Sequence, residues 1–105
     1  MTVADARFGT EIIMRTGKYY IFDDTHCMLA FVQEQAISRE DIKEILVSDY
    51  QSPHNLIPVA SAYFMQGGNV RGPMGGDLAA FADSTERDRF LNDSGGNTIR
   101  WDEIF

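Results

Sequence analysis

Cysteine is nearly absent from this sequence: its 105 residues include one, Cys27, so no disulfide can form within the chain. Structural zinc sites usually combine four Cys or His residues. Besides Cys27 the chain offers only His26 and His54, so a site of that kind is disfavoured.

Basic residues are also scarce. Nine Lys and Arg stand against 16 Asp and Glu, which gives a formal net charge of −7 and a pI of about 4.6. Such a surface repels phosphate backbones and anionic lipids, so we expect no nucleic-acid partner and regard cations as better ligands.

Long apolar runs are missing as well. No stretch approaches the length of a membrane span, and no charged segment followed by an apolar one opens the sequence. We therefore expect no membrane span in this chain. The length predicts a single domain over residues 1–105.

What the sequence does contain is a faint internal repeat. Phe22 and Phe31 in the first half correspond to Phe81 and Phe90 in the second, at a constant offset of 59 residues (81 − 22 and 90 − 31). In both halves a glycine turn precedes a short strand and a Ser or Thr at a helix start. The repeat predicts two modules, residues 1–55 and 56–105.

The hydrophobic pattern assigns the same order of elements to each half. The first half is predicted to contain strands at 10–14, 19–22 and 45–50 and a helix at 25–35, capped by Asp24. The second half is predicted to contain strands at 57–65, 78–81 and 97–104 and a helix at 84–92. The predicted fold is α+β: two ββαβ modules, mainly antiparallel sheet packed with two helices.

Cys27 is the first residue that could carry chemistry. As the third residue of the predicted helix it would lie in the positive field of the helix N-terminus, which favours a thiolate. With a neutral His26 and the thioether of Met28 it would form a soft donor set that suits Cu(I). Adjacent helical residues point about 100° apart, however. The alternative is that Cys27 and Met28 belong to the core face of the helix, together with Phe31 and Val32.

Met74 is the second candidate. It lies between glycines in the segment Gly72-Pro73-Met74-Gly75-Gly76. Glycines permit close backbone approach and offer no packing, so the thioether is either a plug over the core or a metal ligand. Met14 and Met65, in contrast, are expected to pack.

Eight short segments of the sequence form a recognisable set. They are Gly72-Pro73-Met74-Gly75, Asp77-Leu78, Phe81-Ala82, Gly95-Gly96, Asp102-Glu103-Ile104, Tyr20-Ile21-Phe22-Asp23-Asp24, Cys27-Met28-Leu29-Ala30-Phe31 and Val47-Ser48-Asp49-Tyr50. In their order and spacing along the chain they resemble the NosL family. The resemblance covers nearly the whole chain.

The resemblance implies a Cu(I)-binding accessory lipoprotein of the bacterial cell envelope, periplasmic and anchored through an N-terminal lipid. Its implied partners are the copper ion, a copper enzyme such as nitrous-oxide reductase, whose maturation it serves, and a membrane transporter. It also implies a fold of two ββαβ modules, in agreement with the repeat.

The family's N-terminal motif is rich in Cys and ends in Met, and the segment from Met1 to Gly9 resembles the part that begins at that Met. By this resemblance Met74 and Met1 are metal ligands, and Cys27, Met28 and His26 are further candidates. The preceding cysteines are missing from this sequence.

Two other classes of function stay open. A non-metal interaction module of the cell envelope would present a strand edge or groove to a partner. An enzyme, which we do not expect, would need a nucleophile beside a base, and Cys27 with His26 is the only such pair that the sequence offers.

Overall fold

The computed structural model describes residues 5–72 and 77–105. The strands are β1 (Thr10–Met14), β2 (Tyr19–Phe22), β3 (Ile42–Ser48), β4 (Leu56–Pro58), β5 (Tyr63–Gln66), β6 (Leu78–Phe81) and β7 (Asn97–Ile99). The helices are α1 (Thr25–Glu34), α2 (Ser84–Ser94) and the short α3 (Trp101–Ile104). Single 3-10 turns lie at Arg39–Asp41 and Val59–Ser61.

The strands form two antiparallel sheets. The first has the order β2-β1-β3-β4 and the second the order β6-β5-β7. With helices packed on both sheets, the predicted α+β class is confirmed. Residues 56–58, which the predicted division assigns to the second module, extend the first sheet as β4.

Local sequence signals explain where the helices begin. The Asp24 side chain accepts a hydrogen bond from the Cys27 backbone N–H at 3.0 Å and caps α1, as predicted. In α2 the cap is Asp83, whose side chain accepts a hydrogen bond from the Thr85 N–H at 2.8 Å, so the helix begins at Ser84.

The predicted strand over 57–65 is divided in two. Its first part, β4, pairs with β3, and its second part, β5, pairs with β6 and β7, so the chain changes sheets at the turn between them. The predicted strand over 97–104 ends at Ile99, because β7 has a partner only along β5, where Ile99 lies opposite Phe64. The residues that follow form α3.

Three buried clusters make up the core that residues 5–72 and 77–105 form. The first-sheet cluster comprises Ile12, Phe22, Met28, Ile42 and Ile45. The second-sheet cluster comprises Phe8, Met65, Val70, Ala79 and Phe81, and the joining cluster comprises Val47, Phe64 and Ala80. The joining cluster takes residues from both sheets.

A backbone contact also links the sheets. The Tyr50 N–H donates to the Ala80 carbonyl at 2.7 Å, next to a parallel bridge between Asp49 and Ala80. The segment that directly follows β3 is therefore hydrogen-bonded to β6 of the second sheet.

Two glycine pairs of the second half cross at very short range. A Cβ on Gly68 would overlap the Gly95 carbonyl, and a Cβ on Gly96 would lie 2.5 Å from the Gln66 carbonyl oxygen. All four glycines, Gly67, Gly68, Gly95 and Gly96, have positive φ. Gly68 and Gly96 therefore have neither the space nor the backbone conformation for a side chain, whereas Gly67 and Gly95 are restricted by their positive φ alone.

None of the helices in residues 5–72 and 77–105 has the length and hydrophobicity needed to cross a lipid bilayer.

Candidate functional site

A cleft of about 580 Å³ lies between the start of α1 and the second sheet. Its lining combines apolar side chains with a few polar ones. The lining residues are Thr25, His26, Leu29, Gln66, Gly67, Asp77, Leu78, Asn97, Ile99, Glu103 and Ile104. Among these described lining residues there is no Lys or Arg; the ionisable ones are the carboxylates of Asp77 and Glu103 and the imidazole of His26.

The glycine loop, which we define as residues 72–77, borders this cleft at Asp77. The Gly72 N–H donates to Asp77 Oδ1 at 3.2 Å, and the Gly67 N–H donates to the Asp77 carbonyl at 3.0 Å. Asp77 thus joins both ends of the loop and also lines the cleft. Met74 itself lies outside the described residues, three positions from Asp77.

The N-terminal arm, residues 5–9, packs beside residues that flank the glycine loop. Phe8 is 4 % exposed and shares the second-sheet cluster with Val70, two residues before the glycine loop, and with Ala79, two residues after it. Met1 lies outside the described residues. The arm that follows Met1 and the loop that carries Met74 are therefore anchored in one cluster.

His26 is exposed and lines the cleft. The residue before it, Thr25, is buried and lies 3.2 Å from Thr10, hydroxyl to hydroxyl, which ties the start of α1 to β1. Because this turn of helix is held in place, the imidazole is presented from a rigid support. Among the three adjacent candidates on α1, His26 is the one at the cleft.

Cys27 is partly buried and packs against the first-sheet cluster. Burial, followed by the negative charges of Asp24 and Asp23, raises the pKa of its thiol. The expectation that the helix N-terminus favours a thiolate is therefore corrected, because desolvation and two carboxylates outweigh the field of the helix.

We expect Cys27 to react slowly with iodoacetamide at pH 7, with a rate that rises only above the ordinary pKa of a thiol. Because the raised pKa reduces the thiolate fraction, the folded protein should react more slowly than the same chain in 8 M urea. The rate is followed by mass spectrometry from pH 6 to 10. A fast reaction of the folded protein at pH 6 would contradict this assignment.

Met28 is fully buried in the first-sheet cluster. Its thioether packs against apolar side chains, as the core-face alternative predicts, and does not reach the cleft wall. His26, Cys27 and Met28 therefore point to three different surroundings, as their successive positions on a helix require.

No three His, Cys, Asp or Glu side chains converge on one point within residues 5–72 and 77–105. His54 lies half-buried, with Nδ1 at 3.0 Å from the Asp49 carbonyl oxygen. A site for a soft metal ion would thus need thioether donors in addition to the described side chains.

Sequence reasoning missed most of the cleft wall. Gln66 and Asn97 lie opposite each other because β5 pairs with β7, and Glu103 joins them because the chain turns into α3. Gln66 is 30 or more positions from the other two, and no local motif connects them. The signal that could have been used was Asp77, directly after the glycines, where a carboxylate can hold the ends of a loop.

Comparisons with known proteins agree with this architecture. The sequence matches the model of the NosL family over residues 1–105. No curated protein sequence matches it. In three dimensions the chain is similar to the crystal structure of the copper chaperone NosL from Shewanella denitrificans, with 25 % sequence identity and a TM-score of 0.75 over 90 % of this chain and 76 % of that one. The chain belongs to the NosL family.

Proposed function

We propose that this protein is a metallochaperone that binds Cu(I) and delivers it for the maturation of a copper enzyme such as nitrous-oxide reductase. The observation that carries the proposal is the common anchoring of the N-terminal arm and the glycine loop in one cluster, through Phe8 and Val70, in a chain of the NosL family. A similar structure is that of a copper chaperone.

The proposed ligands are the thioethers of Met74 and Met1. Met74 is three residues from Asp77, and Met1 is four residues from Asp5. Four residues of extended chain span at most about 14 Å, which limits the distance of the Met1 and Met74 backbones from Asp5 and Asp77. Thioethers and imidazole are soft enough for Cu(I), and the carboxylates of the cleft are not. This donor set therefore fits Cu(I) as a cargo.

We propose His26 as the third ligand, in preference to Cys27. The imidazole lines the cleft that the Met74 loop borders at Asp77, while the thiol of Cys27 packs toward the core and has a raised pKa. Met28 packs in the first-sheet cluster and has no part in the proposal.

A low-coordinate site of this kind suits a carrier. Thioethers carry no proton, so copper can bind and leave without proton transfer at sulfur. A site at the open rim of a cleft allows an acceptor's ligands to replace the donors one at a time. The acidic surface, with a net charge of −7, raises the local concentration of cations.

We also propose that the protein acts in the periplasm of the cell envelope and that an N-terminal lipid holds its full-length form at the membrane. Its proposed partners are a copper enzyme and a membrane transporter. Membership of the NosL family supports these assignments.

The test is a competition titration against a Cu(I) chelator. We expect one site per chain and a loss of affinity of at least about tenfold in Met74→Leu, because leucine keeps the volume and removes the sulfur. The matched control is Met14→Leu, since Met14 packs against the first-sheet cluster. Equal affinity in wild type and Met74→Leu would remove Met74 from the site.

A further inference from the structure

The side chain of Arg7 connects the N-terminal arm to the rest of the fold. Its guanidinium forms a two-point contact with Asp5, with Nη2 to Oδ2 at 2.7 Å and Nε to Oδ1 at 3.1 Å. Its Nη1 donates to the Tyr50 hydroxyl at 3.2 Å. The central carbon of the guanidinium, Cζ, lies 5.2 Å from the centre of the Phe8 ring and 5.4 Å from the centre of the Tyr50 ring.

The backbone of the arm is closed by the same residues. The Arg7 N–H donates to Asp5 Oδ1 at 3.0 Å, and the Phe8 N–H donates to the Asp5 carbonyl at 3.1 Å. Asp5 is thus fixed by both the main chain and the side chain of Arg7. The hydrogen bonds from Arg7 lower the pKa of the Asp5 carboxyl, so the pair is charged at neutral pH.

Tyr50 provides a rigid support for this contact. Its N–H donates to the Ala80 carbonyl on β6, and its ring packs against those of Phe8, Phe81 and Phe90 at centre distances of 5.6, 5.7 and 5.0 Å. Strand β6 begins directly after the glycine loop. Arg7 therefore connects the arm, through Tyr50, to the strand that the Met74 loop leads into.

We propose that Arg7 is a positioning residue for copper binding: it fixes Asp5, which is four residues after Met1 in the sequence, against Tyr50. This inference rests on the proposed function. Arg7 has 44 % of its side chain exposed, and exposed ion pairs contribute little to stability. The two-point contact instead fixes the orientation of the Asp5 carboxylate, since the planar guanidinium binds both of its oxygens.

The test compares wild type, Arg7→Ala and Arg7→Lys by Cu(I) competition titration and by NMR of chains labelled with ¹³C-methyl methionine. We expect Arg7→Ala to lose about tenfold in affinity, as is typical when residues that orient metal ligands are removed. The Met1 methyl signal should shift on addition of one equivalent of Cu(I) in wild type and should not shift in Arg7→Ala. Arg7→Lys should behave like Arg7→Ala, because lysine has no fork.

Arg87→Ala is the matched control. Arg87 also contacts a carboxylate at two of its nitrogens, those 3.1 and 3.0 Å from Asp88, and lies 5.7 Å from the Tyr63 ring centre. Its removal changes the net charge equally and should leave affinity and methyl shifts unchanged.

Three outcomes would overturn the inference while leaving the proposed function intact. They are a Met1 shift and wild-type affinity in Arg7→Ala, equal losses in Arg7→Ala and Arg87→Ala, and full rescue by Arg7→Lys. If neither the Met1 nor the Met74 methyl shifts in wild type, the proposed function fails, and the role of Arg7 fails with it. A cooperative thermal unfolding transition, measured for each variant and compared with wild type, serves as the check that the variant is folded.

Discussion

Met28→Ala is expected to lower the free energy of unfolding by about 2–5 kcal/mol, the usual cost of truncating a fully buried methionine. Met28 is 0 % exposed and packs with Ile12, Phe22, Ile42 and Ile45. These four residues belong to strands β1, β2 and β3, so Met28 connects α1 to three strands of the first sheet. Trp101 packs against the same cluster, so urea unfolding followed by its fluorescence reports the loss.

Met28→Leu separates packing from metal binding. Leucine keeps nearly the same volume, so the cost in stability should be below about 1.5 kcal/mol. It removes the sulfur, yet we expect Cu(I) affinity to stay at the wild-type value. A clear loss of affinity in this well-folded variant would restore Met28 as a ligand and contradict its assignment to the core.

Gly96→Ala is expected to destabilise the protein by about 3 kcal/mol or more. The φ of Gly96 is +105°, a conformation that costs any L side chain energy, and its new Cβ would lie 2.5 Å from the Gln66 carbonyl oxygen. The neighbouring atoms, Gly67 C and Gly68 N, are backbone and cannot rotate away. The measurement is again urea unfolding.

Gly17→Ala is the control for this effect. Gly17 also has a positive φ, +91°, but the methyl group of an alanine at this exposed turn would meet no other atom within 4 Å. Its substitution should cost only the conformational term, about 1–2 kcal/mol. If the two alanine variants were equally stable, the close crossing of the glycine pairs would not contribute to the stability of the fold.

Much of the fold could be predicted because its signals are local. The hairpin of β1 and β2 follows from aromatic and β-branched residues around Gly17, and α1 follows from the Asp24 cap. The failures came where tertiary partners decide. The pattern over 57–65 predicts one strand, but the segment serves two sheets, and residues 101–104 have a strand pattern, but β5 is too short to pair with them.

The site could be predicted less well for the same reason. A helix places His26, Cys27 and Met28 in different directions, and only the packing of α1 decides which of them meets the cleft. The position of the thiol at a helix N-terminus predicts a lowered pKa, but its burial and the neighbouring carboxylates depend on the folded state. Met74 was a candidate because of its glycine neighbours, and the resemblance then indicated both Met74 and Met1 as ligands; their place in the site stays a proposal.

The link between Tyr50 and Ala80 has a mechanical consequence. A backbone hydrogen bond of 2.7 Å and the apolar cluster of Val47, Phe64 and Ala80 both lie at the seam between the sheets. Swinging one half away from the other would break the bond and expose the cluster to water. We therefore expect the two sheets to move as one rigid body. Under the proposed function, copper would then be transferred at the protein surface, without a hinge motion that separates the sheets.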